Sequence, residues 1–172
     1  MQITYTSGDQ TEVYRFSWPV AIAVPLVAIL LQSFLPLRMP FFGLFDLPLL
    51  VTIFFAVARR SPVSGMLTGA LIGLVQDSLS HQHIGLFGIS KTVVGYGASS
   101  LGVKLDVENA GTRLLLTFVF YCVHQVIYFG VARGLVGLSL GWSWTHELWA
   151  ALANAILSVI LFLLMDRLKL RA

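Results

Sequence analysis

Charged side chains are scarce in this chain: Asp, Glu, Lys and Arg make up 11% of its 172 residues, against about 25% in soluble domains. With 57% hydrophobic residues and a mean hydropathy of +0.84, most of it cannot face water, and a bilayer is the natural solvent. The net charge of +3 is spread over the ends of apolar runs and forms no patch, which excludes a nucleic-acid surface. The single cysteine, Cys122, excludes an intramolecular disulfide. The first seventeen residues include Asp9 and Glu12 and no early basic cluster, so no cleavable signal is expected and the first apolar segment should remain as an anchor. There is no H-E-x-x-H, no G-x-S-x-G, no P-loop and no pair of intramembrane carboxylates for acid–base work. Neither an enzyme nor a bound cofactor is expected.

What is present is a series of six apolar segments, at about residues 18–35, 44–58, 63–79, 86–103, 114–135 and 148–165. They predict an all-α integral membrane protein, a compact bundle of about six transmembrane helices. The organisation is a short tail (1–17), one membrane domain (18–166) and a basic end (167–172). The second segment opens with Asp46 and Pro48, a good helix start, but it is short for a core that needs roughly 20 apolar residues. A tilted or partly spanning helix, or five spans plus a re-entrant segment, is the alternative. With the N-terminus inside, the cytoplasmic face receives Arg15, Arg59, Arg60, Lys104, Arg113, Arg167, Lys169 and Arg171, and the other face only Arg38 and Arg133. That bias predicts both termini in the cytoplasm. Trp18, Trp142, Trp144 and Trp149 fall near span ends, as an interfacial belt requires.

Small residues are ordered along these segments. Gly65, Gly69, Gly73 and then Asp77 follow one another at four-residue steps, which places them on one stripe of a helix. Side-chain-free positions let another helix approach closely. Gly88, Gly95 and Gly102 recur every seven residues, Gly130, Gly134, Gly137 and Gly141 crowd the end of the fifth segment, and Ala151 and Ala155 repeat the pattern on the sixth. Much of this serves packing within the bundle; the first stripe is the candidate for a partner's helix.

Polar groups within apolar helices are the other candidates. Asp77 reads as a cap for Gly85 or nearby loop amides, as a partner of Lys91, or as part of a relay. His124 and Gln125, and Asn154 with Ser158, read as hydrogen-bonding bridges between helices. His81 and His83 form an H-x-H pair that would reach a metal only from an extended segment, so a polar loop is expected and no metal. His146 and Glu147 read as surface groups at the interface.

From Phe45 to Tyr96 the residues run Asp46-Leu47-Pro48, an apolar stretch, Arg59-Arg60-Ser61-Pro62, then Gly65, Gly69 and Gly73-Leu74-Val75-Gln76-Asp77, and on through Gly85-Leu86-Phe87-Gly88-Ile89, Lys91 and Gly95-Tyr96. This pattern resembles the rod shape-determining protein MreD family. The resemblance implies a multi-pass component of the bacterial inner membrane, similar in fold to the substrate-binding subunits of energy-coupling-factor transporters. It also implies a non-enzymatic role beside MreC, MreB and the glycosyltransferase–transpeptidase pair of lateral-wall peptidoglycan synthesis. On that reading the Gly65–Gly69–Gly73 stripe docks a transmembrane helix of MreC, and the outer loops orient its external domain. The alternative is a vitamin-binding transporter subunit, with Asp77, Lys91, His81 and His83 lining an outward pocket. Against it, Ala21, Ala23 and Ala28 lack the Ala-x-x-x-Ala spacing of such subunits.

Overall fold

The computed structural model describes residues 16–80, 83–103, 105, 107 and 109–168. Among them are six α-helices: α1 (Trp18–Arg38), α2 (Leu47–Arg59), α3 (Pro62–Leu79), α4 (Leu86–Gly102), α5 (Ala110–Gly134) and α6 (Trp144–Asp166). A short 3-10 helix, Pro40–Leu44, joins α1 to α2, and the described residues contain no strand. Each apolar segment of the sequence has become one helix. Two of them start about a turn earlier than hydropathy suggests. Asn109 caps α5 by accepting from the Gly111 amide at 2.8 Å, and Arg113 in its first turn is buried against Asp166 and so does not stop the helix. In α6 the early turn carries Glu147, a favourable charge at a helix N-terminus.

Helix α2 lies in the middle and touches α1, α3, α4, α5 and α6. All residues from Pro48 to Ala58 are buried, as expected of a helix that is hydrophobic on every side. At thirteen residues it is about 20 Å long, short of the roughly 30 Å hydrocarbon core. Helices α1, α5 and α6 are each long and apolar enough to cross a membrane. Helices α3 and α4 do not meet that test; they carry glycine, serine and charged residues, and Gly65, Gly69, Gly73 and Gly95 face the other helix of the pair.

Helices α3 and α4 form the most extensive pair in the bundle. They run antiparallel, with Gly65 against Gly95, Gly69 against the Lys91 carbonyl and Gly73 against the Phe87 carbonyl; a Cβ added at any of these glycines would overlap backbone. This corrects the expectation for the stripe: Gly65, Gly69 and Gly73 receive the chain's own α4, not a partner. Gly102 approaches the α2 backbone at Val57 in the same way, and an added Cβ there would lie 3.1 Å from the Val57 Cα. By contrast Gly130, Gly134, Gly137 and Gly141 have nothing near their would-be Cβ positions. Tyr96 of the sequence pattern is exposed on α4, whereas Gly88 and Gly95 are buried in it.

Chain alternation gathers Arg59, Arg60, Arg113 and Arg167 at one end of the bundle and Arg38 and Arg133 at the other. The remaining members of the charge pattern, Arg15, Lys104, Lys169 and Arg171, lie outside the described residues. At the first end, Arg113 donates from Nε to the Val107 carbonyl at 2.7 Å and pairs through a terminal nitrogen with Asp166 at 2.7 Å. This ties the start of α5 to the end of α6.

A buried polar cluster at one end of the bundle

The N-terminus of α2 is buried, so its free amides must find protein partners. Each one does. The Asp46 amide donates to Asn154 Oδ1 at 2.9 Å, and the Leu47 amide to Gln32 Oε1 at 3.1 Å. Pro48 has no amide hydrogen, and the Leu49 amide donates to Asp46 Oδ1 at 3.0 Å. Leu50 then makes the first bond within the helix, to the Asp46 carbonyl. Three segments distant in sequence thus close one helix end. Asn154 also donates through Nδ2 to the Leu44 and Ala150 carbonyls, both at 2.9 Å, which fixes α6 to the turn before α2.

Asp46 has a second function in the same cluster. Its Oδ2 lies 2.6 Å from Lys91 Nζ, and the Lys91 side chain is 0% exposed. Lys91 therefore pairs with Asp46, which corrects the Lys91–Asp77 pairing considered from the sequence. The long lysine side chain reaches across to α2 because Lys91 sits a full turn into α4, deeper than the end where Asp77 lies.

Asp77 is fully buried and closes the start of α4. Its Oδ2 accepts from the Gly85 amide at 2.8 Å and the Gly88 amide at 3.1 Å, and its Oδ1 from the Phe87 amide at 3.0 Å. Gly85 stands at φ +105°, a left-handed conformation suited to glycine. Leu86 donates to the His83 carbonyl and Ile89 to the Gly85 carbonyl, so this helix end is also fully accounted for. The capping role read from the sequence is the observed one. His81 lies outside the described residues.

The remaining polar candidates depart from expectation in instructive ways. His124 is buried, but its Nδ1 lies 3.2 Å from Gln125 Oε1 on its own helix, and its Nε2, at 3.9 Å from Asp46 Oδ2, has no hydrogen-bond partner. It bridges to α4 through its ring instead, stacked on Phe87 at 5.9 Å. Ser158 donates to Ala155 of its own helix and bridges nothing. Glu147 is not a surface group: its side chain is 14% exposed and accepts from Gln125 Nε2 at 2.5 Å. Gln125 thereby bridges α5 to α6 by a hydrogen bond, as expected of it, at the opposite end from the Arg113–Asp166 pair. Gln32 and Gln125 were legible as polar residues in apolar runs, yet nothing in their spacing announced their partners.

Beside the cluster lies a partly open cavity of about 190 Å³, lined among others by Gln32, Asp46, Gln76, Phe87, Tyr121 and Tyr128. The vitamin-pocket reading placed Asp77, Lys91, His81 and His83 in such a pocket. Asp77 and Lys91 are instead buried in helix-capping and ion-pair contacts, and His83 is absent from the cavity wall.

Taken together, Asp46, Asp77 and Lys91 are consumed by helix caps and one ion pair. Between here and the Arg113–Asp166 pair the core is built from apolar residues such as Leu50, Ile53, Phe54, Val94 and Ala98. The cluster positions helices; it presents no nucleophile beside a base.

The model of the family described as rod shape-determining protein MreD matches residues 14–170, nearly the whole chain and all of the polar cluster. The chain belongs to the MreD family. It is thus a rod shape-determining membrane protein. No curated protein and no solved structure matches it.

Proposed function

We propose that this chain is a non-catalytic scaffold of the cell-elongation machinery in the bacterial inner membrane, with both termini cytoplasmic. On this reading it binds MreC and through it supports lateral peptidoglycan synthesis beside MreB and the glycosyltransferase–transpeptidase pair. The observation that carries the reading is the use of Asp46, Asp77, Lys91 and Asn154 to rigidify the fold, in a chain of a shape-determining family. Since α4 fills the glycine stripe, the partner's single helix belongs elsewhere. The groove between α1 and α3, about 290 Å³ and lined by Trp18, Ile22, Leu26, Leu71 and Val75, has the apolar lining and elongated course for it.

The test is co-expression with MreC and purification in detergent. Leu71 is 64% exposed, so Leu71→Trp fills the groove without disturbing the core. The variant should remain monodisperse and lose MreC. Undiminished co-purification would remove the groove from the proposal, and wild-type chain that never captures MreC would remove the scaffold reading. A fluorescent protein fused after residue 172 should fluoresce, whereas periplasmic phosphatase activity at the same position contradicts the cytoplasmic terminus.

A further inference from the structure

The groove between α1 and α3 has apolar walls and a cationic end. Arg59 lines it beside Trp18, at the end of the bundle where Arg60, Arg113 and Arg167 also gather. Arg113 is neutralised by Asp166, whereas Arg59 and Arg60 have no carboxylate partner among the described residues. The Arg59 guanidinium lies over the Phe55 ring, 5.7 Å from its centre, and one terminal nitrogen donates to Ser64 Oγ at 3.2 Å. Phe55 is 1% exposed and lies at the floor of the groove, so the stack holds the charge above it. The other N–H groups of Arg59 have no acceptor among the described residues, and their nitrogens are not sealed from the surface. They are open to an acceptor that enters the groove.

The shape narrows the choice of acceptor. From Trp18 the groove follows α1 to Ile29, midway along that helix, a length of about 16 Å at 1.5 Å per residue. That is half of a hydrocarbon core of roughly 30 Å, the depth of one leaflet. Ile22, Leu26, Leu71 and Val75 in its walls are exposed, and Arg59 is the one charged residue of the lining. A free phosphate would engage the arginine and leave the apolar length unused. A phospholipid engages both, with an acyl chain along the walls and its phosphate on the guanidinium fork. Phosphatidylcholine brings a cationic group of its own towards two unpaired arginines, whereas a lipid of net negative charge complements them.

We propose that the α1–α3 groove is a binding site for one anionic phospholipid such as phosphatidylglycerol. Its phosphate sits on Arg59 and an acyl chain lies along Ile22, Leu26 and Leu71. The site goes beyond the scaffold reading but shares its groove, so a partner's helix that docks there displaces this lipid.

The experiment places the full chain, carrying Trp142→Phe, Trp144→Phe and Trp149→Phe, in nanodiscs, so that Trp18 alone reports. Phosphatidylglycerol or phosphatidylcholine, brominated near the carbonyl end of one acyl chain, is mixed into unlabelled phosphatidylcholine, and quenching is followed against its mole fraction. Phosphatidylglycerol should quench half-maximally at a mole fraction at least roughly fivefold lower, the gain expected of one basic residue facing an anionic lipid. Arg59→Gln should lower that preference about fivefold, whereas Arg59→Lys keeps the charge and most of the preference. Native mass spectrometry of the unsubstituted chain, released from an equal mixture of the two lipids, should retain one phosphatidylglycerol, and it covers the case in which a variant fails to fold. Equal quenching by the two lipids, a preference unchanged in Arg59→Gln, or release of the lipid by inorganic phosphate at constant ionic strength overturns the proposal. No MreC is present in these measurements, so their failure leaves the scaffold reading standing, and failure to capture MreC leaves this site standing.

Discussion

Replacing Lys91 with methionine removes an ammonium that lies 2.6 Å from Asp46 Oδ2 while leaving the carboxylate in place. Asp46 retains the Leu49 amide on Oδ1, but its Oδ2 then faces only His124 Nε2, 3.9 Å away. Breaking a buried pair from one side typically costs about 3–5 kcal/mol, because a charge is left uncompensated in a medium that solvates it poorly. Asp46→Asn makes the converse break: asparagine still caps the helix, and Lys91 is left buried and unpaired. Each single variant should therefore melt about 6–20 °C lower, at ~2–4 °C per kcal/mol for a chain of this size. The double variant has no uncompensated charge and keeps the cap, so it should recover to within about 2 kcal/mol of wild type. The coupling is then about 4 kcal/mol or more, beyond the roughly 0.5–3 kcal/mol usual for residues in contact. Thermal unfolding in one detergent, followed by tryptophan emission, measures all four proteins. A double variant as unstable as the sum of the two singles would refute the reasoning, since the two residues would then stabilise the bundle separately.

The glycines divide into two classes by the same logic. Gly69→Ala forces a methyl into the Lys91 carbonyl and should drive α3 and α4 apart, with loss of monodisperse protein on size exclusion. Gly134→Ala meets nothing and should be neutral or gain up to ~1 kcal/mol from helix propensity. Asn154→Leu removes one acceptor and two donor bonds at the start of α2 and should cost about 2–3 kcal/mol, read as a lower melting temperature. Asp77→Ala orphans three amides of Gly85, Phe87 and Gly88. Hydrogen exchange there should accelerate while the Arg113 end stays protected, unless the whole bundle unfolds as one unit.

Much of this protein was open to reading along the chain because bilayer constraints act locally. Scarce charge and long apolar runs dictate helices, and Asp46–Pro48 and Ser61–Pro62 mark helix starts by chemistry confined to one turn. Asp77 was recognisable as a cap for the Gly85 amide since both belong to one hairpin. Pairing between segments was not open in that way. A glycine stripe states that something approaches closely, and only the antiparallel register of α3 on α4 decides that Gly95, Lys91 and Phe87 supply it.

On sequence grounds the carboxylate considered for the Lys91 ammonium was Asp77, its neighbour in the α3–α4 hairpin. The ammonium's choice of Asp46 follows from α2 standing at the centre of the bundle, a fact of packing that no periodicity encodes. Glu147 looked like an interfacial charge until α5 brought Gln125 beside it. Composition and periodicity by themselves therefore determined the solvent, the helices and their caps, since those depend on residues a few positions apart. The tertiary arrangement alone decided which polar groups meet, because hydrogen bonds between residues about a hundred positions apart, such as Asp46 and Asn154, exist only once the helices have been brought into contact.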